Sequence, residues 1–236
     1  MAANLKLHQE EQSIEFEING KSIAASPFES IIEAAKRNDI EIPHLCYMEG
    51  MRADGNCRVC MVEIEGERVL QPSCSRTPTQ GMVVNTQNDR VVHSQKMVLE
   101  LLQSDIAERE YTLNSELDQW SQKLNVGLPR FECRSQPQND VTHPAIAVNL
   151  DACIQCTRCV RACREEQNND VIGFANRGSH SAIVFDLDDP MGDSSCVGCG
   201  ECVQACPTGA LMPSNEVGLQ KPDRKVESVC PYCGVG

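Results

Sequence analysis

Basic residues are in short supply. Lys and Arg number 21 against 34 Asp and Glu in 236 residues, a formal net charge of −13. Without a basic stripe to neutralise phosphates, nucleic acid is not an expected partner. Long apolar runs are missing too. No stretch approaches the ~18 apolar residues that a membrane-spanning helix needs. The first twenty residues, MAANLKLHQEEQSIEFEING, hold neither an apolar signal core nor paired arginines. Neither export nor membrane insertion is expected, and a reducing, cytoplasmic setting is. Aromatic residues make up only 4%, so small domains must lean on bound groups and partners for stability. The chain also lacks an acid–base pair, a nucleophile constellation and a phosphate-cradling glycine loop. It is not expected to turn over a substrate alone.

Cysteine is what the chain has in plenty, with 15. In an acidic chain without an export signal, they read as metal ligands rather than disulfides. Eight fall in two runs, Cys153, Cys156, Cys159, Cys163 and then Cys196, Cys199, Cys202, Cys206, with Pro207 following. Each run is spaced C-x2-C-x2-C-x3-C. Three thiolates at every third residue curl round one corner of a 4Fe–4S cube, and the fourth is turned toward the neighbouring cube. The expected sets are therefore Cys153, Cys156, Cys159 with Cys206, and Cys196, Cys199, Cys202 with Cys163. Zinc is the competing reading, but two C-x2-C pairs suffice for it. It leaves the third cysteine and the repeat without a use.

Four more cysteines, Cys46, Cys57, Cys60 and Cys74, are spaced C-x10-C-x2-C-x13-C. The turn Asp54–Cys60 carries Gly55, and main-chain N–H groups in such a turn approach cluster sulfurs. These four read as a 2Fe–2S site, again with zinc as the alternative. His44 reads as a structural hydrogen-bonding residue, since four thiols already suffice. Cys133 is left over as a bystander thiol. Cys230 and Cys233 make an incomplete site, and residues 222–236 are expected to be poorly ordered and to bind no cluster.

The surrounding pattern is α+β. Ile14, Phe16, Ile18 and Ile23 alternate about Asn19-Gly20, which predicts a hairpin. Ser26, Pro27 and Glu29 form a capping signature for a helix whose apolar face is Phe28, Ile31, Ile32 and Ala35, ending at Asn38. Strands are predicted at 61–65, 68–71 and 82–86. A helix follows from Asp89 with Val91, Val98 and Leu102 in line and Met97 and Leu101 beside them. A second steps through Leu113, Leu117, Trp120 and Leu124. Residues 131–144 read as a linker. Short strands are expected at 147–151 and 182–185. Arg158, Arg161 and Arg164 decorate the first run, either to raise the potential of a nearby cluster or merely as solvated side chains.

The stretch GNCRVCMVEIEG, with its longer ligand spacing, resembles the 2Fe–2S domain of NADH:quinone oxidoreductase large subunits. In that family the following helices usually carry a cluster held by one histidine and three cysteines. Here Leu102–Glu108 offers neither, and His93 reads as a surface residue. With the double ferredoxin segment and the closing Cys230-Pro231-Tyr232-Cys233-Gly234-Val235-Gly236, the chain resembles the N-terminal arm of alpha subunits of NAD-linked molybdenum or tungsten formate dehydrogenases. The resemblance implies a 2Fe–2S ferredoxin-type β-grasp domain over 12–88 and a cluster-less helical spacer over 89–130. After the linker come a double 4Fe–4S ferredoxin-like domain over 145–221 and, at 222–236, the truncated start of a molybdopterin-oxidoreductase 4Fe–4S domain. It implies one 2Fe–2S and two 4Fe–4S clusters, with the bis-pterin metal cofactor only in a missing or partner domain. Expected partners are that catalytic molybdopterin subunit and a flavin-bearing, NAD-reducing iron–sulfur subunit. Electrons from formate would enter at the 4Fe–4S pair and leave by the 2Fe–2S end. Two rivals stand beside this: the arm of a hydrogenase or of the quinone reductase itself, and a regulatory or assembly protein sensing iron or oxygen through labile clusters.

Overall fold

The computed structural model describes residues 13–106, 115–134 and 137–217. Ile14–Ile18 (β1) pairs antiparallel with Lys21–Ala25 (β2), Phe16 opposite Ile23. Asn19 (φ 51°) and Gly20 (φ 82°) are both left-handed, as a two-residue I′ turn requires. The alternation sends Phe16, Ile18, Ile23 and Ala25 into the core.

The first helix, α1, spans Ile31–Arg37 and starts later than the sequence suggested. Its cap is Ser30, not Ser26. The Ser30 side chain accepts the Glu33 N–H, and the Glu33 carboxylate accepts the Ser30 N–H at 2.7 Å. Two overlapping Ser-x-x-Glu signatures compete here. The first closes only a turn, with the Ser26 N–H donating to Glu29 Oε2 at 3.1 Å, and leaves Phe28 88% exposed. The second prevails because the residues it opens onto, Ile31, Ile32, Ala34 and Ala35, are all buried against the sheet. Asn38 ends the helix as expected.

Met61–Ile64 (β3), Gln71–Pro72 (β4) and Val83–Asn85 (β5) complete a five-stranded sheet ordered β2-β1-β5-β3-β4, with β1 and β5 parallel. β4 is shorter than 68–71 predicted and shifted onward. Pro72 lacks an N–H and sits at the sheet edge, where none is needed. This is the sheet-and-helix arrangement expected of the first domain.

Helix α2, Asp89–Gln103, is capped by Asn88, and α3, Glu116–Lys123, by Ser115. The buried line of α2 is Val91, Gln95, Leu99 and Gln103, not Val91, Val98 and Leu102, and Leu101 is 46% exposed. Gln95 turns inward because its Nε2 donates to the half-buried Met61 carbonyl of β3 at 3.0 Å. On α3, Leu117 is fully buried with Trp120 and Leu124 packed beside its cluster. Leu113 lies outside the described residues. The stretch 131–144 is not loose at its end. Asp140 exchanges backbone hydrogen bonds with Val148 (2.8 and 2.9 Å), and its Oδ2 accepts the Met191 N–H at 2.6 Å.

The second half is closed by Ile146–Val148 (β6), before the first cysteine run, pairing antiparallel with Leu211–Pro213 (β9), after the second. Between them, Arg158–Arg161 (α4) continues into a π-helical turn, Ala162–Glu166. A hairpin of Ile172–Ala175 (β7) and Ala182–Phe185 (β8) follows, then Glu201–Ala205 (α5). β8 lies where the sequence placed it. β7, carrying Gly173 and a half-exposed Phe174, gave no clear strand pattern.

Candidate metal centres

Cys46, Cys57, Cys60 and Cys74 are all buried, Cys60 and Cys74 in the core of the sheet and Cys46 and Cys57 in the core shared with α2 and α3. The Cys46 N–H donates to Cys57 Sγ at 3.3 Å. The Cys57 and Cys74 thiols donate toward the Cys46 sulfur, and the Cys74 thiol also toward Cys60. These bonds lower the Cys46 and Cys60 thiols, while the same contacts, with burial behind them, push Cys57 and Cys74 up. Four thiols this close cannot all ionise without a positive group among them. Gly55 (φ 61°) belongs to the turn that presents Cys57, and a Cβ there would stand 3.2 Å from Ser75 Oγ. His44 is structural as expected: its Nδ1 is 2.8 Å from the Ile42 carbonyl and its ring meets Tyr47 edge-on.

In the second half, thiols from the two runs come close to one another. Cys206 lies close enough to Cys153, Cys156 and Cys159 for mutual charge repulsion. Cys202 feels Cys196, Cys199 and Cys163 in the same way, and then Cys206. Cys153, Cys156, Cys159 and Cys206 line one cavity, closed by Ile154, Ile183 and Leu211. Burial lifts the Cys153 thiol to about 12 and the Cys202 thiol to about 12, and it raises Cys156 and Cys159 as well. Bare thiols here hold their protons, and they become thiolates only when a cation offsets the burial.

The two runs repeat each other in backbone as well as spacing. Gln155 (φ 56°) and Thr157 (φ 65°) are left-handed, as are their counterparts Gly198 (φ 66°) and Gly200 (φ 80°). The Gln155 N–H donates to Cys153 Sγ and the Gly198 N–H to Cys196 Sγ, each at 3.4 Å. Left-handed residues at alternate positions bring an N–H group to a cysteine sulfur in each run, which suits a negatively charged cluster. Glycine bears that conformation without strain in the second run. In the first, Thr157 is held by Oγ1 donating to Asp54 Oδ2 at 2.7 Å.

All twelve donors are thiols. Among the described residues, no disulfide forms and no three His, Cys, Asp or Glu side chains are set to hold a single metal ion. The all-thiol donor set, buried at nine of its twelve positions with Cys196 and Cys206 half-buried and Cys199 exposed, and the N–H groups donated to its sulfurs fit iron–sulfur clusters. Cys133 is exposed, with its Sγ 3.8 Å from the Ile106 carbonyl, and His93 is exposed as expected. Cys230 and Cys233 lie outside the described residues.

The sequence left Arg158 and Arg161 undecided, and the structure buries both while Arg164 pairs with Asp170 at the surface. They join the two cysteine-bearing regions. Arg158 Nη1 donates to the Leu45 carbonyl at 3.1 Å and to Glu116, and Arg161 donates to the carbonyls of Cys46 and Arg52. Asn56 Nδ2 adds a bond to the Gln155 carbonyl at 3.0 Å. Beneath this seam, Leu45, Cys46 and Cys57 share one apolar core with Leu99, Leu117 and Cys156. His143 was also missed: buried, it accepts the Ala145 and Ile146 N–H groups on Nδ1 and sets its ring against Gly198. Its only signal was a histidine three residues before an apolar strand.

Residues 11–89 match the 2Fe-2S iron-sulfur cluster binding domain, and residues 143–212 the ferredoxin-like domain of NADH-quinone oxidoreductase subunit 3. The chain is 34% identical to the NADP-reducing hydrogenase subunit HndD of Solidesulfovibrio fructosivorans, over 89% of this chain and 38% of that protein. It is 31% identical to a putative formate dehydrogenase of Staphylococcus haemolyticus, over 85% of this chain and 21% of that protein. A third relative, an NADH-quinone oxidoreductase subunit of Rhizobium meliloti, is 32% identical over 98% of this chain and 27% of its own length. The chain thus spans well under half of the curated relatives it matches. Among solved structures, a chain of the NAD+-reducing [NiFe]-hydrogenase in the H2-reduced state superposes with a TM-score of 0.78 at 25% identity, over 85% of this chain and 87% of that one. No helix among the described residues is long and apolar enough to cross a membrane. The chain is an iron–sulfur electron-transfer module related to subunits of formate dehydrogenases, NADH-quinone oxidoreductases and NAD(P)-reducing hydrogenases.

Proposed function

We propose that this chain is the electron-transfer arm of a formate dehydrogenase-type complex, carrying one 2Fe–2S and two 4Fe–4S clusters. Cys46, Cys57, Cys60 and Cys74 hold the first. Cys153, Cys156, Cys159 and Cys206 hold one cubane, and Cys163, Cys196, Cys199 and Cys202 the other. The clusters supply one-electron carriers. The chain's own residues bury most of the ligand thiols, donate N–H groups to their sulfurs, and fix their spacing through the seam of Arg158 and Arg161. In this reading 12–88, 89–130 and 145–221 are its working domains. Electrons from formate oxidation at a molybdenum or tungsten site of a partner subunit or domain pass along it to a flavin-bearing, NAD-reducing partner in the reducing cytoplasm. The observation that best supports the module is the cavity that Cys206, from the second run, lines together with Cys153, Cys156 and Cys159 of the first. The choice of formate rests on Cys230–Gly236 and on the likeness to putative formate dehydrogenases.

A hydrogenase arm is the second reading, favoured by the likeness to the NADP-reducing hydrogenase subunit and to the hydrogenase crystal structure. The test is anaerobic isolation of the chain with its native partners, followed by EPR after adding formate or H2. Reduction of the clusters by formate alone supports the first reading and reduction by H2 alone the second. An iron content far below about ten atoms per chain, the sum for one 2Fe and two 4Fe clusters, would reject both.

A further inference from the structure

Two guanidinium groups lie inside the protein, at the seam between the Cys46–Asp54 loop and the first cysteine run. Arg158 is 5% exposed and Arg161 3%. Burying a charge this deeply is unfavourable unless neighbouring groups offset it, and ligand geometry alone gives no reason for it. Arg161 donates to the carbonyl of Cys46, itself a proposed 2Fe–2S ligand, and to that of Arg52. It sits on α4 between Cys159 and Cys163, so one side chain joins the ligand loops of two centres. Arg158 repeats the link through the Leu45 carbonyl.

The counter-charges are placed unevenly. Asp54 Oδ2 stands 3.3 Å from Arg161 Nε, near enough for attraction but not aligned for a hydrogen bond, and Asp54 also pairs with Arg52 at 2.8 Å. Glu116 faces Arg158 at 2.9 Å. Both carboxylates are more open to water than the arginines they face: side-chain exposure is 21% for Asp54 against 3% for Arg161, and 37% for Glu116 against 6% for Arg158. Water screens the outer, negative ends more than the inner, positive ones. The seam therefore presents net positive potential toward the cysteine groups although its charges balance in number.

We propose that Arg161, with Arg158 beside it, is a positioning residue that raises the reduction potentials of the 2Fe–2S centre and of the adjoining 4Fe–4S centre together. This rests on the ligand sets proposed above. Each centre gains one negative charge on reduction, and a guanidinium, a fixed charge, stabilises that state from the Cys46 side. No proton need accompany the electron.

The test is an EPR-monitored redox titration of the full chain, prepared anaerobically, as wild type, Arg161→Gln, Arg161→Lys and Asp54→Asn. At a fixed potential, Arg161→Gln is expected to lower the reduced-to-oxidised ratio of the 2Fe–2S centre about tenfold, equal to about 59 mV for a one-electron couple. Arg161→Lys, which keeps the charge, recovers most of that shift. Asp54→Asn moves the ratio the other way, because it removes the negative end. Structural damage would move Arg161→Gln and Asp54→Asn alike, so shifts of one sign, or no shift in either, overturn the proposal. If Arg161→Gln assembles no cluster, Asp54→Asn decides alone: a rise in potential supports the proposal, and no change or a fall overturns it. A wild type without iron or signal would instead mark failure of the ligand sets.

Discussion

Exchanging the fourth cysteines between runs makes an unusual demand on mutagenesis, because sequence neighbours should behave as strangers. Cys159 opens the first turn of α4, and Cys163 lies four residues on in its π-helical continuation. Four residues of helix advance about 6 Å along the axis, enough to carry a thiol past one centre toward the next. Cys206 does the reverse, leaving the end of α5 in extended conformation (φ −71°, ψ 118°) toward Cys153 and Cys156. On the proposed ligand sets, Cys163→Ser should therefore remove about four of roughly ten irons, those of one cubane, and it should be the cubane of the other run.

The assay needs no prior assignment of signals. Iron content and low-temperature EPR are compared across four single variants, Cys156→Ser, Cys163→Ser, Cys199→Ser and Cys206→Ser. Cys163→Ser should give the spectrum of Cys199→Ser, and Cys206→Ser that of Cys156→Ser. Each pair loses about four irons and leaves the 2Fe–2S signal in place. If Cys163→Ser instead matches Cys156→Ser, each run serves its own cluster and the exchange is wrong. Loss of all iron in every variant would mean that the centres assemble only together, against the separate cavity seen for the first.

Three other outcomes follow from the fold. Ser30→Ala removes the α1 cap and should destabilise the first domain by about 1 kcal/mol in denaturant titration, the usual size for a lost N-cap. Burial lifts the Glu33 carboxyl, but hydrogen bonds from Ser30 and Tyr47 together outweigh it and leave it below its ordinary value. Its stabilisation is thus whole above the unfolded value and is lost as pH falls from about 4.3 through the lower folded value, so Glu33→Gln should flatten the acid limb of a stability–pH profile. Gly192→Ala would set a Cβ 2.6 Å from the Thr142 carbonyl oxygen, and it should destabilise by about 1–3 kcal/mol in thermal unfolding, in the range of overpacking.

What the sequence made legible was whatever local chemistry dictates. Cysteine pitch indicates which thiols gather, as Cys206 does with Cys153, Cys156 and Cys159, because donors to one group must surround it. The Asn19-Gly20 hairpin is readable because few other residues take those angles cheaply. The α1 start was misplaced because two Ser-x-x-Glu signatures overlap, and only packing against the sheet decides between them. The α2 face was rotated because an amide at Gln95 answers a carbonyl on β3, a partner 34 residues away that no periodicity reveals.

The arginines are the more telling case. Arg158, Arg161 and Arg164 recur every third residue, in step with the cysteines, and sequence alone allowed either a redox role or plain solvation. The same helical pitch gives them different fates. Arg158 and Arg161 point back at the Leu45–Asp54 loop, whose carbonyls have no strand or helix partner to take their lone pairs, whereas Arg164 points outward to Asp170. A loop that must wrap a cluster gives up its regular backbone hydrogen bonds, and the freed carbonyls collect donors from the next domain. The irregularity that makes room for the first metal site is thus what binds it to the second. That is why an aromatic-poor chain with small cores can still hold its proposed centres in fixed register.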